Sequence, residues 1–286
     1  MPAKPTVSSP PPDQAAPAKT KVALIAGAPR GGTTIANMVL GQHPQIFATG
    51  SMRDFPDGGQ LFADTNICSC GWPARACAFW TEVRSRYLPF QGQTEQEKLP
   101  QLFRIMAEVS GREFIGDVTH NRHYAERLLE LPGVELYLIH VVRDGRGVVF
   151  SRIRKDYRAG RLQKYGWRHF RRTMKISRHW SRHIRDFNAL EKRLGKRAIR
   201  ISYEQLCSDP VTTLRPVGRC LGLDFDAVGA NLAAGKPMQP IPHLIRGNPV
   251  LRLKRDVVLR HDRAFHDNMH LPDRLTFQIM SRFPSF

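Results

Sequence analysis

Residues 26–34, AGAPRGGTT, lie between the apolar runs KVALI and IANMVL and invite a chemical reading. Gly27 and Gly32 have the G-x-x-x-x-G spacing of a phosphate loop, in which glycines let backbone N–H groups converge on an anion at a helix N-terminus. A loop for nucleoside triphosphates would carry a lysine at position 33, to reach the β- and γ-phosphates, then a hydroxyl for magnesium. Here Thr33 and Thr34 occupy those places, and the loop's cation, Arg30, lies inside it. A guanidinium so placed can grip a compact oxyanion with a two-pronged hydrogen bond and no metal. Two other stretches carry reactive types. VVRDGRGVVFSRIRK sets Arg143 after an apolar run and Ser151 eight residues later, and GDVTH ends on His120. An unperturbed imidazole titrates near 6.5, so His120 could take or give a proton at neutral pH.

Short apolar runs must hold these residues. Residues 22–25 and 135–142 are continuous apolar stretches and read as buried parallel strands; 113–116 and 197–201 read as two more. Residues 34–40 have helical composition and stop at Gly41 and Pro44, and a helix beginning near Gly145 would put Ser151 in its second turn. Lys155 would lie one turn further on the same face. Strands separated by helices imply βαβ units: an α/β fold with a P-loop-like parallel sheet and helices on both faces. All the motifs fall at the carboxyl ends of strands, where such sheets bind ligands.

The chain has 286 residues, with 41% hydrophobic and 24% charged, as in a soluble globular protein. Its 44 Lys and Arg against 25 Asp and Glu leave a formal charge of +19, which calls for an anionic partner. Between positions 152 and 200, 18 basic residues face three acidic ones, so this region accounts for most of the excess. Trp167, Phe170, Met174, Ser177, Ile184 and Phe187 recur there at near-helical spacing, which predicts amphipathic helices with a basic outer face. That face is either simply solvated or a surface that receives an anionic acceptor or docks on acidic lipid. No nucleic-acid module is recognisable, so no nucleic-acid partner is expected. The Pro- and Ala-rich residues 1–20 read as a disordered tail before a single domain, 21–286. No signal-peptide core and no apolar run of eighteen residues occurs, so the expected location is cytoplasmic, with membrane contact at most peripheral. Five cysteines are too few for a disulfide framework. Cys68, Cys70 and Cys77, in CSCGWPARACAFW, lack the usual C-x₂-C spacing of zinc sites and a clear fourth ligand; a structural, redox-sensitive loop is the favoured reading, with zinc the lesser one.

The loop APRGGTT resembles the 5′-phosphosulfate loop of sulfotransferases that use 3′-phosphoadenosine-5′-phosphosulfate (PAPS), particularly the branch with PRSGTT. The likeness extends over most of residues 21–255 and implies the sulfotransferase fold. It implies that Arg30, Gly31, Gly32, Thr33 and Thr34 hold the donor's 5′ end without a metal, and that Arg143 and Ser151 hold its 3′-phosphate, with Lys155 adding charge. ISYEQLCSDPVTTLRPVGRCLGL resembles the family's RYEDLxxDPxxxLxxIxxFLGL stretch, which makes Tyr203 either a nucleotide contact or a packed core tyrosine. IRGNPVLR resembles the GNPxR segment of bacterial relatives, which closes over the donor; Arg246, Asn248 and Arg252 are its candidates. CSCGWPARACAFW is similar to a stretch of some bacterial members.

Cytosolic relatives carry a catalytic histidine in KTH and many bacterial ones have DSSK at the corresponding point; in both groups a lysine supports the sulfuryl group. Here Val118 replaces that lysine in the first alignment and His120 in the second, so His120 is either the base or a hydrogen-bond donor in the lysine's place. The glutamate of the tyrosylprotein and bacterial branches is Ser51 here, with Asp54 and Asp57 as nearby substitutes. The rival readings are a P-loop kinase and a basic nucleic-acid-binding protein. The acceptor class stays open among small molecule, carbohydrate, lipid and peptide.

Overall fold

The strand TKVALIAG, Thr20–Gly27 (β1), is apolar on both faces because it lies in the middle of a sheet covered on both sides. Val22, Leu24 and Ala26 point into one core, and Ala23 and Ile25 into the other. The computed structural model describes residues 19–53, 55, 66–90, 93–163 and 166–282. Most of the expected tail, and both Asp54 and Asp57, lie outside the described residues. β1 itself begins at Thr20, one residue before the expected domain boundary.

After β1 come α1 (Thr33–Leu40), β2 (Ile46–Gly50), α2 (Ala78–Tyr87), α3 (Glu95–Ser110), β3 (Phe114–Thr119), α4 (Arg122–Glu130) and β4 (Val134–Val142). They are followed by α5 (Gly145–Arg158), α6 (Trp167–Leu194), β5 (Ala198–Ser202), α7 (Tyr203–Ser208), α8 (Pro210–Leu221) and α9 (Asp226–Ala233). Three further helices complete the order: α10 (Pro249–Arg252), α11 (Ala264–Asn268) and α12 (Leu271–Arg282). The sheet order is β2-β3-β1-β4-β5 and every pairing is parallel, as βαβ connections require. Trp80, Phe103, Tyr124 and Phe187, from α2, α3, α4 and α6, pack on one face. Val39, Leu206, Leu214 and Leu232, from α1, α7, α8 and α9, pack on the other. A third, smaller core joins α5 and α6 to the C-terminal helices through Val149, Ile176, Phe265 and Phe277. Among the described residues, no helix is long and apolar enough to cross a membrane.

Three features differ from the sequence expectation. The strand β2, IFATG, was not anticipated; it is fully buried beside β3, where Thr49 Oγ1 donates to the Gly116 carbonyl at 2.8 Å. β3 runs past Gly116 through Asp117, a residue that ordinarily interrupts strands. It persists because the Asp117 carboxylate accepts from Met52 N (2.9 Å), Val118 N (2.8 Å) and Tyr124 Oη (2.7 Å). The predicted inner stripe of α6 holds at Ser177 and Phe187, which are buried, but not at its start: Trp167 and Phe170 are 67% and 40% exposed, whereas His169 and Thr173 are buried. Asp273 of α12 explains the exchange, since its Oδ1 takes hydrogen bonds from His169 Nε2 (2.7 Å) and Thr173 Oγ1 (2.8 Å).

Candidate active site

The loop after β1 turns sharply into α1. Gly32 is the N-cap at φ 95° with no side-chain cap, and the first turn carries no acidic residue. The helix start therefore keeps its N–H groups and positive dipole end for an incoming anion. A Cβ at Gly32 would sit 2.4 Å from the Tyr203 ring, so glycine is required by close approach as well as by backbone angle. Arg30 also has a positive φ, 71°, which a side chain normally avoids.

Arg30 reaches from this loop to α5, where its Nε donates to Ser151 Oγ at 3.0 Å. Arg143, at the end of β4, donates from Nη1 to the Arg30 carbonyl at 3.2 Å. Its Nη2 meets both the carbonyl and Oδ2 of Asp262 at 3.3 Å, while its buried Nε has no hydrogen-bond partner among the described residues. The guanidinium lies 4.7 Å over the buried Tyr203 ring, and Gly147 leaves room for it, since a Cβ there would be 3.1 Å from Arg143 Nε. Asp144 caps α5 by accepting from Arg146 N at 2.8 Å, which fixes the turn between Arg143 and the helix that bears Ser151. Burial holds the Arg30 guanidinium below its ordinary pKa, and the nearby positive charges of Arg143, Arg154 and Arg158 add to this, with Asp262 opposing. Such a concentration of positive charge around one loop is the arrangement that would hold a multiply charged anion. Lys155 is exposed, and Arg154 and Arg158 of the same helix act electrostatically on Arg30.

Tyr203 is a buried residue, 5% exposed, that packs under Gly32 and Arg143, and its hydroxyl accepts from Asp262 N at 3.4 Å. Burial pushes its phenol up to about 12, so it stays protonated.

His120 follows β3 and faces the same opening. Its Nδ1 is 2.6 Å from the Gly27 carbonyl, so Nδ1 carries the hydrogen and Nε2 keeps its lone pair. The residue exposes an edge to solvent, yet most of its surroundings are protein, and this desolvation lowers its pKa. The Gly27 contact opposes the shift, and Arg152, Arg53 and His179 add to it. Beside it, His183 of α6 is pushed down to about 3 by burial and by neighbouring imidazoles. Asp117, three residues before His120, is fully buried and its pKa is raised to about 7 by desolvation. Through Met52 N it anchors the segment that follows β2.

The segment 245–252 folds against the phosphate loop. Asn248 N donates to Thr34 Oγ1 at 3.3 Å, and the Asn248 side chain caps the next turn by accepting from Val250 N at 3.2 Å. The Arg246 backbone packs on Gly50 at the end of β2. The Arg252 guanidinium is engaged with the Ile245 carbonyl and with Asn66 Oδ1 (3.3 Å), so it braces the segment. The structure thus brings together Arg30, Gly31, Gly32, Thr33, Thr34, Arg143, Ser151, Tyr203 and Asn248, with His120 across the loop. Sequence reading missed Asp262, Arg154, Arg158 and Asp117. Of these, Asp117 left a signal, a carboxylate set inside an apolar strand; the others depend on tertiary placement.

In parallel α/β sheets the carboxyl ends of the strands, where these cations gather, are where ligands bind. Comparison with known proteins sharpens this: the sequence profile of the sulfotransferase family matches residues 23–227, and the chain belongs to that family. The fold is similar to the sulfotransferase domain of the Synechococcus PCC 7002 olefin synthase (18% identity, TM-score 0.56, 93% of this chain and 94% of that one). It is similar to the sulfotransferase domain of the curacin biosynthetic pathway (16% identity, TM-score 0.60, 93% and 97%). It is also similar to mouse sulfotransferase SULT7A1, solved with PAP (14% identity, TM-score 0.53, 92% and 84%). No curated protein sequence gives a significant match.

Proposed function

We propose that the protein transfers a sulfuryl group from PAPS to a hydroxyl or amine of its acceptor. The observation that carries this is the meeting of Arg30, Ser151 and Arg143 at the uncapped start of α1. Family membership favours sulfuryl transfer over the kinase and nucleic-acid readings, and the PAP bound to the mouse neighbour supports the choice of donor. The unpartnered Arg143 Nε, the clustered guanidinium groups and the tight approach at Gly32 suit a phosphate-bearing ligand. When bound, the donor supplies an activated sulfuryl group on its 5′-phosphate.

In this reading Arg30 and the first-turn amides of α1 neutralise charge on the leaving 5′-phosphate as its S–O bond breaks. Arg143 and Ser151 hold the 3′-phosphate, and Arg154 contributes charge. His120 Nε2 takes the proton from the acceptor hydroxyl as that oxygen bonds to sulfur. No step calls for magnesium, because cationic side chains stand where a triphosphate site would use the metal.

The acceptor side is basic. Arg152 and His179, felt electrostatically by His120, connect it to the exposed Arg168, Arg171, Lys175 and Arg182 of α6. This continuity supports an acceptor that is anionic or presented on an anionic surface; a small molecule, carbohydrate, lipid headgroup or peptide could carry that charge.

Calorimetry with 3′,5′-adenosine bisphosphate and with ATP, each with and without magnesium, tests the donor. Magnesium-independent binding of the bisphosphate is expected. Tight binding of ATP that requires magnesium, with no affinity for the bisphosphate, would overturn the reading. Mass spectrometry of cell extracts incubated with enzyme and labelled donor then identifies products heavier by one sulfate.

A further inference from the structure

Three thiols and an imidazole that donor chemistry does not use converge beside the site. Cys68, Cys70 and Cys77 belong to the segment leading into α2, and His243 to the segment after α9. Their ligand atoms all lie within 4.8 Å of one another. His243 Nδ1 is 3.2 Å from Cys77 Sγ and 4.0 Å from Cys68 Sγ. Around tetrahedral zinc, with Zn–S about 2.3 Å and Zn–N about 2.0 Å, sulfur atoms stand about 3.8 Å apart and S–N pairs about 3.5 Å. Shifts of about 1 Å, within the reach of side-chain rotation, bring the cluster to that geometry.

The surrounding contacts aim these groups. Gly71, at φ 96°, donates its N–H to the Cys68 carbonyl at 2.9 Å, and Cys68 N donates to the Trp72 carbonyl at 2.8 Å, so a tight turn presents Cys68 and Cys70 together. His243 has a left-handed backbone, φ 56°. Its carbonyl accepts from Trp80 Nε1 at 2.8 Å and its ring stacks on Phe79 with centroids 5.0 Å apart. Ser69 joins the two segments on either side of the histidine: its Oγ donates to Ile241 O (2.7 Å) and accepts from Leu244 N (2.9 Å). A strained non-glycine residue braced from several sides marks a position kept for its side chain. A disulfide would occupy two of the thiols and leave the third and the imidazole without a role.

We propose that Cys68, Cys70, Cys77 and His243 bind a structural Zn²⁺ ion in a closed Cys₃His site. Binding releases the three thiol protons and leaves a four-coordinate metal with no open position for substrate. Cys68 and Cys77 are buried and Cys70 is exposed, which gives the ion a route in. The site would tie together segments that are distant in sequence. His243 stands just before the 245–252 segment, which rests on Thr34 of the phosphate loop and is braced by the Arg252–Asn66 contact. The metal therefore fixes the segment placed to cover the donor.

Elemental mass spectrometry on the full chain, produced in zinc-supplemented cells and purified without a metal column, tests the proposal. About one zinc per chain is expected. Cobalt exchange should give intense thiolate-to-metal charge transfer and tetrahedral d–d bands. Cys77→Ser and His243→Ala should lose the metal, His243→Cys should retain it, and Cys207→Ser and Cys220→Ser should be neutral. Wild-type protein without zinc and without a tetrahedral cobalt spectrum would overturn the proposal, as would a disulfide among the three cysteines of folded, metal-free protein. The cobalt spectrum of wild type decides even where a variant fails to fold. None of these readouts involves donor or turnover, so a failure here is distinguishable from a failure of the sulfuryl-transfer reading.

Discussion

Arg30 and Ser151, separated by 121 positions, are joined by a 3.0 Å hydrogen bond from the guanidinium Nε to the hydroxyl. The bond closes the phosphate loop onto α5, while Arg143 is steadied by Asp262 and by the Arg30 carbonyl. The cationic groups of the proposed donor site are thus oriented on internal acceptors. In the proposed reading, donor binding exchanges these weak contacts for phosphate oxygens, with little reorganisation left to offset the gain.

Arg30 separates stability from function. Its φ of 71° costs on the order of 1 kcal/mol for a non-glycine residue. Arg30→Gly is expected to leave the melting temperature unchanged or slightly raised, while bisphosphate affinity falls roughly ten- to a hundred-fold through loss of a charged hydrogen bond. Calorimetry and thermal denaturation on one preparation check both halves. Wild-type affinity in the glycine variant would remove Arg30 from the donor site.

Substitutions at Arg143 and Asp262 should act in opposite directions. Arg143→Ala should weaken the 3′-phosphorylated nucleotide by about 1.5 to 3 kcal/mol and barely affect its 3′-hydroxyl analogue. Asp262→Asn keeps the hydrogen bond that Oδ1 accepts from Ala264 N, but removes the negative charge that competes for Arg143. It should tighten the 3′-phosphorylated ligand alone. Equal changes for both nucleotides would assign this pair to structure.

For His120, the environment sets the expected pH profile. A base must be deprotonated, and desolvation holds this imidazole below 6.5. The acidic limb of kcat/KM should therefore lie below the ordinary histidine range, with activity already level at neutral pH. His120→Ala should abolish turnover and spare nucleotide binding. An active His120→Lys variant would instead assign the residue to supporting the sulfuryl group and shift proton removal to a carboxylate such as Asp54.

Asp117 predicts an acid-side trend in stability. Its folded pKa of about 7 exceeds that of an ordinary aspartate, 3.8, so the folded state binds the proton more tightly than the unfolded chain. This residue's contribution is full below about pH 4 and declines as pH rises to about 7. Asp117→Asn, which can keep the contacts to Met52, Val118 and Tyr124, should flatten that part of the curve in denaturant titrations. An unchanged slope would show that another group governs it.

Much of this was legible in the sequence, and the exceptions have physical causes. Four strands are where apolar runs predicted them, because strands buried on both faces need continuous hydrophobicity. The loop and Arg143 were readable since turn chemistry and strand ends are local. β2 was hidden because IFATG mixes small residues whose burial comes from β3. Arg154 and Arg158 act electrostatically on Arg30 from α5, three and seven residues beyond Ser151, a pairing that spacing around the loop did not reveal. The fourth member of the cysteine cluster, His243, lies 166 residues beyond Cys77, a distance that no spacing rule covers.

The central place of β1 carries a consequence for biosynthesis. Its partners are β3 and β4, so β1, the first of the described strands, has neither neighbour until residue 119, and not both until residue 142. At about 5 to 20 residues per second, TKVALIAG spends on the order of ten seconds as an exposed apolar segment with unmet backbone groups. Recombinant yield should then respond to chaperone supply and slower growth, and chains truncated before β4 should be insoluble. A soluble, folded fragment ending at residue 133 would show that β1 is protected by something other than its two neighbours.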